Sequence, residues 1–482
     1  MADGQHWLEQ RVFERAARWS GTLAAVREQA SASSGFVVNG VLSRMLGIAL
    51  EARGCEAVVG SRCLLSGHDG RITEAEVVGF ADDSLLLMPT DHLHGLMPGA
   101  RVMPTSQVFE ARVGPDVLGR VLDGAGRPLD ALGPLASEHR IRLVPKTINP
   151  LRRELITKPL DVGVRSINAL LTVGRGQRLG LFARSGVGKS MLLGMMTKFT
   201  GADVIVVGLV GERGREVQEF VSRTLDAESR RRAVVVATPA DYPPLMRVHG
   251  ALLATAIAEY FRDQGRQVLL LIDSLTRVAQ AQREIALATG EPPVTKGFPV
   301  SVFAKIPELV ERAGTVGSHG GSITAFYTVL TEGDDRNDPI ADAARAVLDG
   351  HIVLSPELAE AGIYPAIDLT SSISRAAQSI TTTAQQALVQ RFRRLHASYE
   401  QNKDLIAVGA YTSGQDPVLD EAIRYRRQMI EFLQQRVEQP IGIEQSFSEL
   451  ATLFSSQSGT APPATTAPTQ AGKPMAPAEP NR

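Results

Sequence analysis

The residues with the clearest chemical pattern lie between Gly176 and Met196, in the sequence GQRLGLFARSGVGKSMLLGMM. An apolar run ends at Phe182, a loop broken by glycines closes on Gly188–Ser190, and a helix-forming stretch follows. Backbone amides of such a loop and of the helix start converge on one point, so they can hold a polyphosphate. Lys189 would then reach the β- and γ-phosphates, and the Ser190 hydroxyl would contact Mg²⁺. We predict that the nucleotide is bound by Ala183, Arg184, Ser185, Gly186, Val187, Gly188, Lys189 and Ser190.

A carboxylate at the end of another predicted strand suits the metal that accompanies a nucleotide. Asp273 ends the apolar run in VLLLIDS, and the carboxyl ends of parallel strands form the edge at which such sheets bind ligands. An acid there can order the water around a catalytic Mg²⁺ ion. The alternative is that Asp273 is buried and caps the next helix. We predict a metal site formed by Ser190 and Asp273.

A second carboxylate could act on the attacking water. Glu212 lies in GERGREV, which directly follows the apolar run VIVVGLV, so we expect it at the same sheet edge as Lys189 and Asp273. A carboxylate there can align water for in-line attack, and Arg213 can meet the negative charge that develops on the γ-phosphate. On charge pattern alone, a solvated cluster of charges at the start of a helix is equally compatible with these residues.

Composition and charge indicate a large soluble enzyme. The chain has 482 residues, of which 44% are hydrophobic, and this content can supply several hydrophobic cores. The charged fraction of 21% is ordinary for a globular protein. A net charge of −1 provides no global basic field for nucleic acid or acidic lipid. The two cysteines, Cys55 and Cys63, favour a reducing cytosol over a disulfide framework. No secretory signal is evident, and no apolar run reaches the roughly 18 residues that a membrane-spanning helix needs.

The segment 1–30 predicts an amphipathic helix. Six apolar residues recur at helical spacing along one face, while charged residues such as Glu14 fall elsewhere. The six are Leu8, Val12, Ala16, Trp19, Leu23 and Val26. The sequence SASSG at residues 31–35 then resembles a linker. The pattern is compatible both with packing on the chain's own domain and with docking on a partner.

From residue 31 to 108 the pattern changes to short strands separated by Gly and Asp turns, which is typical of a small β-barrel. The expected strands cover residues 36–38, 58–59, 63–65, 75–80, 84–88 and 100–103. From 109 to 376, near-continuous apolar strands alternate with helices. Such alternation predicts a parallel sheet with helices on both faces.

The remainder of the chain lacks strand patterns. Residues 377–455 are rich in helix-forming sequence, so we predict a helical C-terminal domain. Residues 456–482 carry six prolines among small and polar residues, and a segment with so little to bury should be disordered.

Three segments in this order, LFARSGVGKS, LVGERGREV and LLLIDSLTR, resemble the catalytic subunit family of rotary ATP synthases. Within that family they are most similar to the flagellar type III export ATPases. The likeness continues through VGVRSINALLTVGRGQR, EPPVTKGFPVSVFAKIPELVERAG, GSITAFYTVLTEGDDRNDPIADAARAVLDGHIVLS, GIYPAIDLTSSISR and DLIAVGAYTSGQDPVLDEAI. It covers roughly residues 36–450, in long and specific blocks.

The resemblance implies a role for each matching residue. Glu212 would be the catalytic carboxylate, and Asp273 the acid that orders water on the metal. Tyr364 in GIYPAID would stack on adenine, and Arg375 at the end of SSISR would cross to the nucleotide of a neighbouring subunit. The implied fold is a β-barrel, a RecA-like α/β ATPase domain and a helical C-terminal domain, assembled as a homohexameric ring.

The same resemblance implies partners and a location. The chain would hydrolyse ATP with Mg²⁺ to energise flagellar protein export, together with chaperones and export substrates and without nucleic acid. Its N-terminal helix would dock on a dimeric negative regulator that holds the ATPase at the membrane export gate. The protein would be cytoplasmic and peripherally associated with the inner membrane, without a transmembrane segment.

Three positions invite comparison with the family pattern. Ala183 replaces the first Gly of G-x-x-x-x-G-K-S, as is usual in the export ATPases. Arg184 stands where a small residue is normal, and Pro356 stands where arginine is common. Neither substitution has a role that the sequence alone can assign.

Four other functions compete with flagellar export. The injectisome ATPase would have identical chemistry and different cargo, and a rotary synthase subunit would not need the N-terminal amphipathic helix. A Rho-like RNA motor would need a barrel with interleaved basic and aromatic residues, but residues 36–103 contain no Trp or Tyr. A non-catalytic ring subunit would be expected to lack the carboxylate of Glu212.

Overall fold

The computed structural model describes residues 38–144, 148–317, 320–331 and 338–455, together with Trp19 and Leu23. Both of these N-terminal residues are helical, with exposed fractions of 59% and 63%. The rest of the helix expected at residues 1–30 lies outside the described residues. So does the tail that we expect to be disordered, residues 456–482.

Six antiparallel strands close into a barrel in the order β1-β2-β5-β4-β3-β6. They are β1 (Gly40–Leu46), β2 (Ala49–Arg53), β3 (Ser61–Ser66), β4 (Ile72–Ala81), β5 (Ser84–Pro89) and β6 (Arg101–Val108). Side chains of β4 alternate between the two faces, so that Thr73, Ala75 and Val77 are buried inside the barrel. The barrel expected in this part of the chain is confirmed.

The prediction of a strand at residues 58–59 is wrong. Val58 and Val59 are 70% and 56% exposed and belong to the turn that leads into β3. Gly60 has a φ of +87°, and the Ser61 hydroxyl donates a 2.6 Å hydrogen bond to the Val58 carbonyl, which closes this turn. Val38 also lies outside any strand, because β1 begins two residues later.

A nine-stranded sheet forms the centre of the molecule, with a main path β17-β16-β10-β15-β13-β11-β12-β8 and β14 paired to β15. Its strands are β8 (Val121–Leu122), β10 (Arg178–Ala183), β11 (Val204–Val210), β12 (Ala233–Thr238), β13 (Gln267–Asp273), β14 (Gly314–Thr315), β15 (Ser322–Leu330), β16 (Gly350–Leu354) and β17 (Ile367–Ser374). Pairing is parallel from β16 to β8, and only the pairings of β17 and β14 in this sheet are antiparallel. A separate two-stranded sheet joins β7 (Glu110–Arg112) to β9 (Arg140–Arg142).

Helices cover both faces of the central sheet. The helices of the described chain are α1 (Arg165–Leu170), α2 (Lys189–Phe199), α3 (Gly214–Glu219), α4 (Ala227–Arg231), α5 (Pro244–Arg262), α6 (Leu275–Ala288), α7 (Val300–Val310), α8 (Pro339–Val347), α9 (Pro356–Glu360), α10 (Ala377–Ile380), α11 (Thr383–Ala407), α12 (Pro417–Leu433) and α13 (Ile443–Ser455). In β11, Ile205 and Val207 join the core that contains α2, whereas Val204 and Val206 join the core that contains α5 to α8. The predicted parallel sheet with helices on both faces is therefore confirmed.

The C-terminal helices pack on the first of these two cores. Phe392 of α11, Leu419 and Tyr425 of α12, and Leu450 of α13 are buried in the same cluster as the apolar residues of α1 and α2. The helical C-terminal region is thus continuous with the sheet that carries the phosphate loop. None of the described helices is long and apolar enough to cross a membrane.

Candidate active site

The phosphate loop joins β10 to α2 at the carboxyl edge of the central sheet. β10 ends at Ala183 and α2 begins at Lys189. Gly186 and Gly188 have φ angles of +84° and +91°, a left-handed conformation that residues with a Cβ rarely adopt. The glycines thus let the chain turn tightly into α2, whose first amides have no partner within the helix and suit an anion.

Three charged side chains from separate segments meet beside this loop. The Lys189 ammonium lies 3.1 Å from Oε1 of Glu212 and also contacts Oδ1 of Asp273. Glu212 follows β11 after one glycine, Asp273 is the last residue of β13, and the two strands are parallel neighbours. The side chains of Lys189, Glu212 and Asp273 are only 11%, 11% and 6% exposed. The structure brings together the groups expected to contact phosphate, water and metal.

Thr328 orients one member of this cluster, and sequence reasoning did not identify it. Its hydroxyl donates a 2.6 Å hydrogen bond to Oδ1 of Asp273 from the neighbouring strand β15. The only signal in the sequence is a hydroxyl residue within the apolar run SITAFYTVL. A buried hydroxyl needs a partner, and here the partner is the acid at the end of β13.

Burial controls the protonation of the cluster. It raises the pKa of Asp273 and of Glu212 above their ordinary values of 3.8 and 4.5, and the opposing charge of Lys189 only partly offsets this effect. Burial also lowers the pKa of Lys189, but the two carboxylates outweigh it and raise that pKa above 10.5. The ammonium therefore stays charged, while Glu212 is a stronger proton acceptor than an exposed glutamate.

The residues present fit a magnesium ion that arrives with a polyphosphate. Ser190, Glu212 and Asp273 line a cavity of about 320 Å³ beside α2. Their hydroxyl and carboxylate oxygens are the hard ligands that Mg²⁺ prefers. Mg²⁺ commonly takes one or two such groups and completes its octahedral shell with water and substrate phosphates.

Tyr364 lies against the phosphate loop. A Cβ atom at Gly188 would come within 3.1 Å of the Tyr364 ring, so the ring packs directly on the backbone of the loop. The ring is half-buried, and the Tyr364 carbonyl accepts a 2.9 Å hydrogen bond from the backbone N–H of Gln435. An aromatic face at this position can stack on a nucleotide base.

The two arginines expected at the γ-phosphate lie outside the cluster in this conformation. Arg213 exposes 86% of its side chain and pairs loosely with Glu216 at 3.9 Å. Arg375 is exposed directly after β17, where its backbone N–H donates a 3.1 Å hydrogen bond to the Asp349 carbonyl. An exposed position suits an arginine that serves a neighbouring subunit, whereas Arg213 must swing inward to reach a phosphate of its own subunit.

The structure gives a physical reason for Pro356 and shows the surroundings of Arg184. Arg184 is half-buried, and its charge contributes to lowering the pKa of Glu357, which the hydrogen bond with the Ser355 hydroxyl lowers most. Pro356 occupies the first position of α9, where Ser355 caps the helix by accepting a hydrogen bond from the Leu358 N–H. The fixed φ of proline suits that first position.

Arg277 of α6 is a further candidate that sequence reasoning missed. A Cβ atom at Gly211 would lie 2.7 Å from the Arg277 Cβ, so the arginine packs beside the residue that precedes Glu212. Its Nη1 donates a 2.9 Å hydrogen bond to Gln280, and its buried Nε makes none. A buried guanidinium N–H without a partner can donate a hydrogen bond to an anionic ligand.

Comparisons with known proteins identify the family. Residues 163–374 match the nucleotide-binding domain of the ATP synthase alpha/beta family, and residues 381–452 match the C-terminal domain of the type III secretion ATPase EscN. The flagellum-specific ATP synthase of Pseudomonas aeruginosa is 58% identical over 421 residues, which cover 87% of this chain and 93% of that protein. The flagellum-specific ATP synthase of Salmonella typhimurium is 55% identical over 86% of this chain and 93% of its own length.

A solved structure supports the same assignment. The assembled ATPase EscN from the type III secretion system of enteropathogenic E. coli has a TM-score of 0.82 and 42% identity, over 86% of this chain and 99% of that one. The predicted combination of a barrel, a RecA-like α/β ATPase domain and C-terminal helices is therefore confirmed. This chain belongs to the ATP synthase alpha/beta family, among the flagellum-specific ATP synthases and type III secretion ATPases.

Proposed function

We propose that this chain hydrolyses Mg²⁺-bound ATP and that the energy serves flagellar protein export. The observation that carries the proposal is the contact of Lys189 with both Glu212 and Asp273 beside the phosphate loop. Burying a lysine with two carboxylates seldom stabilises a fold relative to apolar packing. Buried charges with shifted pKa values in a cavity are typical of functional sites.

Nucleotide binding follows from the loop and its neighbours. The Lys189 ammonium partly neutralises Glu212 and Asp273. A triphosphate in the loop offers the same ammonium a more highly charged partner, so Lys189 exchanges its carboxylate contacts for the β- and γ-phosphates. Tyr364, already packed on Gly188, provides the face on which adenine stacks.

Hydrolysis requires a base and a fixed metal ligand. Glu212 accepts a hydrogen bond from the attacking water and takes its proton, helped by the raised pKa of its carboxyl group. Asp273, oriented by Thr328, and Ser190 would hold Mg²⁺. When bound, the ion would supply positive charge against the negative charge that develops on the phosphates. The buried Nε–H of Arg277 could donate a hydrogen bond to the negative charge that develops on the phosphates.

We propose that six copies of the chain form a ring in which Arg375 completes the site of the neighbouring copy. The exposure of Arg375 after β17 and the likeness to EscN, which is described as an assembled ATPase, support this arrangement. An arginine supplied by a neighbour stabilises transition-state charge and makes hydrolysis depend on assembly. Arg213 would contribute from within the subunit once the nucleotide draws it inward.

The comparisons favour flagellar export over the alternatives. Identity is 58% and 55% to two flagellum-specific ATP synthases but 42% to EscN, an ATPase from a type III secretion system. These likenesses extend through the barrel and the C-terminal helices, and none of the three proteins is described as an RNA motor. The presence of Glu212 in the cluster speaks against a non-catalytic ring subunit.

The proposed partners follow from this assignment. The N-terminal segment, with exposed Trp19 and Leu23, would dock on a dimeric negative regulator that brings the ATPase to the membrane export gate. Chaperones and export substrates would meet the ring there. The protein would then be cytoplasmic and peripherally associated with the inner membrane.

Phosphate release by the purified protein tests the proposed chemistry. We expect ATP hydrolysis that depends on Mg²⁺, a higher Mg²⁺ requirement for Asp273→Asn, and loss of both ATP and tripolyphosphate binding for Lys189→Ala. Lys305→Ala, a partly exposed lysine that pairs with Glu308, is the matched control and should bind both normally. Unchanged binding by Lys189→Ala would show that the loop is not the site.

Complementation tests the proposed role in export. The chain should restore swimming to a Pseudomonas aeruginosa strain that lacks its flagellum-specific ATP synthase, and the Glu212→Gln variant should not. Failure of the active chain at normal expression would argue for a different export system.

A further inference from the structure

The last turn of α12 is fixed to the start of α1 by Arg165. The Arg165 guanidinium donates hydrogen bonds of 2.7 Å to the Phe432 carbonyl and 2.8 Å to the Glu431 carbonyl, and it pairs with Glu449 of α13 at 2.5 Å. It also lies 5.1 Å from the centre of the Phe432 ring. A helix leaves its last carbonyls without partners, and a cation there satisfies both these groups and the helix dipole. Arg165 thus forms a joint between the nucleotide-binding domain and the C-terminal helices.

Gln435 lies in this joint, two residues after the end of α12, and is 7% exposed. Its Oε1 accepts a 2.7 Å hydrogen bond from the Arg165 backbone N–H, and its Nε2 donates bonds of 2.8 Å to the Gly163 carbonyl and 2.7 Å to the Gln439 carbonyl. Both amide protons and the amide oxygen are in use. The side chain cannot shift without leaving a buried polar group unpaired.

The backbone of the same residue reaches the nucleotide site. The Gln435 N–H donates a 2.9 Å hydrogen bond to the carbonyl of Tyr364, whose ring packs on Gly188 of the phosphate loop. A continuous set of contacts therefore runs from Arg165 through Gln435 to Tyr364. Gln435, which belongs neither to α12 nor to the ring, therefore helps to position both the end of α12 and the Tyr364 ring beside the loop.

We propose that Gln435 is a positioning residue for nucleotide binding, which holds Tyr364 where it can stack on the base. Through Gln435, the joint between α1 and α12 determines how tightly the site binds the adenine base of ATP. It does not affect how tightly the site binds the phosphates. The inference rests on the proposed function, because it requires that ATP binds at the phosphate loop with its base at Tyr364.

Gln435→Leu tests this role, because leucine has a similar volume and none of the amide's hydrogen bonds. We expect KM for ATP to rise about tenfold, the equivalent of one buried hydrogen bond, while kcat changes less than about twofold. Competitive inhibition by tripolyphosphate, which has no base, should stay at the wild-type level. Gln434→Leu is the matched control, since that side chain is exposed and its amide makes a single long contact of 3.5 Å to Gly362.

A double-mutant cycle identifies the route of the effect. In a Tyr364→Ala background, Gln435→Leu should no longer change KM for ATP, because the ring through which it acts is gone. Full additivity of the two substitutions would overturn the proposal. Equal weakening of ATP and tripolyphosphate by Gln435→Leu would also overturn it, since that result means a general structural role.

A measurement on the unmodified protein covers the case in which Gln435→Leu does not fold. Hydrogen exchange at the Gln435 backbone amide should slow when ATP binds, because the adenine base stacks on the Tyr364 ring. It should not slow with tripolyphosphate, which has no base. The same rate with both ligands contradicts the inference. Failure of the proposed function can be distinguished from failure of this inference. If the proposed function is wrong, Lys189→Ala will bind ATP normally.

Discussion

The ammonium group of Lys189 lies 3.1 Å from the carboxylate of Glu212, although the two residues are 23 positions apart and belong to different strand–helix connections. This contact joins the group that would bind phosphate to the group that would activate water. The positive charge of Lys189 thus lies against the carboxylate that would accept the proton. A bound triphosphate would draw Lys189 away and leave Glu212 free to accept a proton, so binding and activation of the base would occur together.

Removing the lysine should destabilise the free protein in a pH-dependent way. Lys189→Met leaves Glu212 and Asp273 buried without their counter-charge, and loss of one partner in a buried ion pair costs about 3 kcal/mol. Burial already raises the pKa of both carboxyl groups, so they take up protons more readily as the pH falls. The loss of stability should therefore be larger at pH 8 than at pH 5. Thermal unfolding across this range measures it, with Lys305→Met as the surface control; a pH-independent difference would contradict the burial of these charges.

The pH profile of hydrolysis should report the raised pKa of Glu212. A general base must be deprotonated, so kcat/KM should increase as the pH rises through the pKa of this carboxyl in the free enzyme. Because burial raises that pKa, the acid limb should lie above 4.5. Initial rates at low ATP concentration from pH 4.5 to 8 measure the limb. A profile with no acid limb between pH 4.5 and pH 8 would exclude Glu212 as the titrating base.

Mixed rings test whether Arg375 acts on the neighbouring subunit. Arg375→Ala should assemble yet hydrolyse ATP about 10³-fold more slowly, because transition-state charge is no longer stabilised. When Arg375→Ala and Glu212→Gln subunits are mixed, some interfaces carry an intact Glu212 opposite an intact Arg375, so partial activity should return. Arg394→Ala, another exposed arginine, serves as the control. No recovery in rings shown to be mixed would place Arg375 within its own subunit's site or outside the mechanism.

Partner docking should depend on the apolar face that includes Trp19 and Leu23. Truncation of an aromatic anchor at an interface typically costs about 2 kcal/mol, or roughly 30-fold in affinity. Trp19→Ala should weaken binding to the purified dimeric regulator by that amount while the ATPase rate and thermal unfolding stay unchanged. Arg18→Ala, which the helical spacing places off this face, should bind normally. A loss of thermal stability in Trp19→Ala would mean that the helix packs on the chain itself.

The strands that position the site could be read from the sequence because their apolar runs are continuous and sharply bounded. β11 coincides with the predicted run Val204–Val210, and Asp273 directly ends another such run. Strands buried on both faces leave little freedom in where they start and stop. The barrel was harder to predict: exposed Val58 and Val59 have high β-propensity yet form a turn, because Gly60 and Ser61 close it.

Contacts between distant segments could not be read in this way. Thr328 lies on β15 and Arg277 on α6, and both lie close to the site. The residue spacing within these two elements does not indicate either contact. The helical segment that follows Glu212 is also irregular, because α3 passes into a π-helical turn at Phe220–Thr224. A Cβ atom at Gly194 of α2 would lie 2.6 Å from the Thr224 side chain, so this turn depends on a close approach that only the folded structure defines.

The most direct test of the account is ATP binding and single-turnover hydrolysis by the Glu212→Gln variant. The amide keeps the shape of the carboxyl group but cannot take a proton from water, so binding should be retained and hydrolysis should fall by about 10²-fold or more. Glu219→Gln, an acid of α3 that pairs with Arg215, should hydrolyse ATP at the wild-type rate. Thermal stability of Glu212→Gln should not fall, because burial disfavours the charged form that the substitution removes. Turnover near the wild-type rate in folded, ATP-bound Glu212→Gln would contradict the central claim.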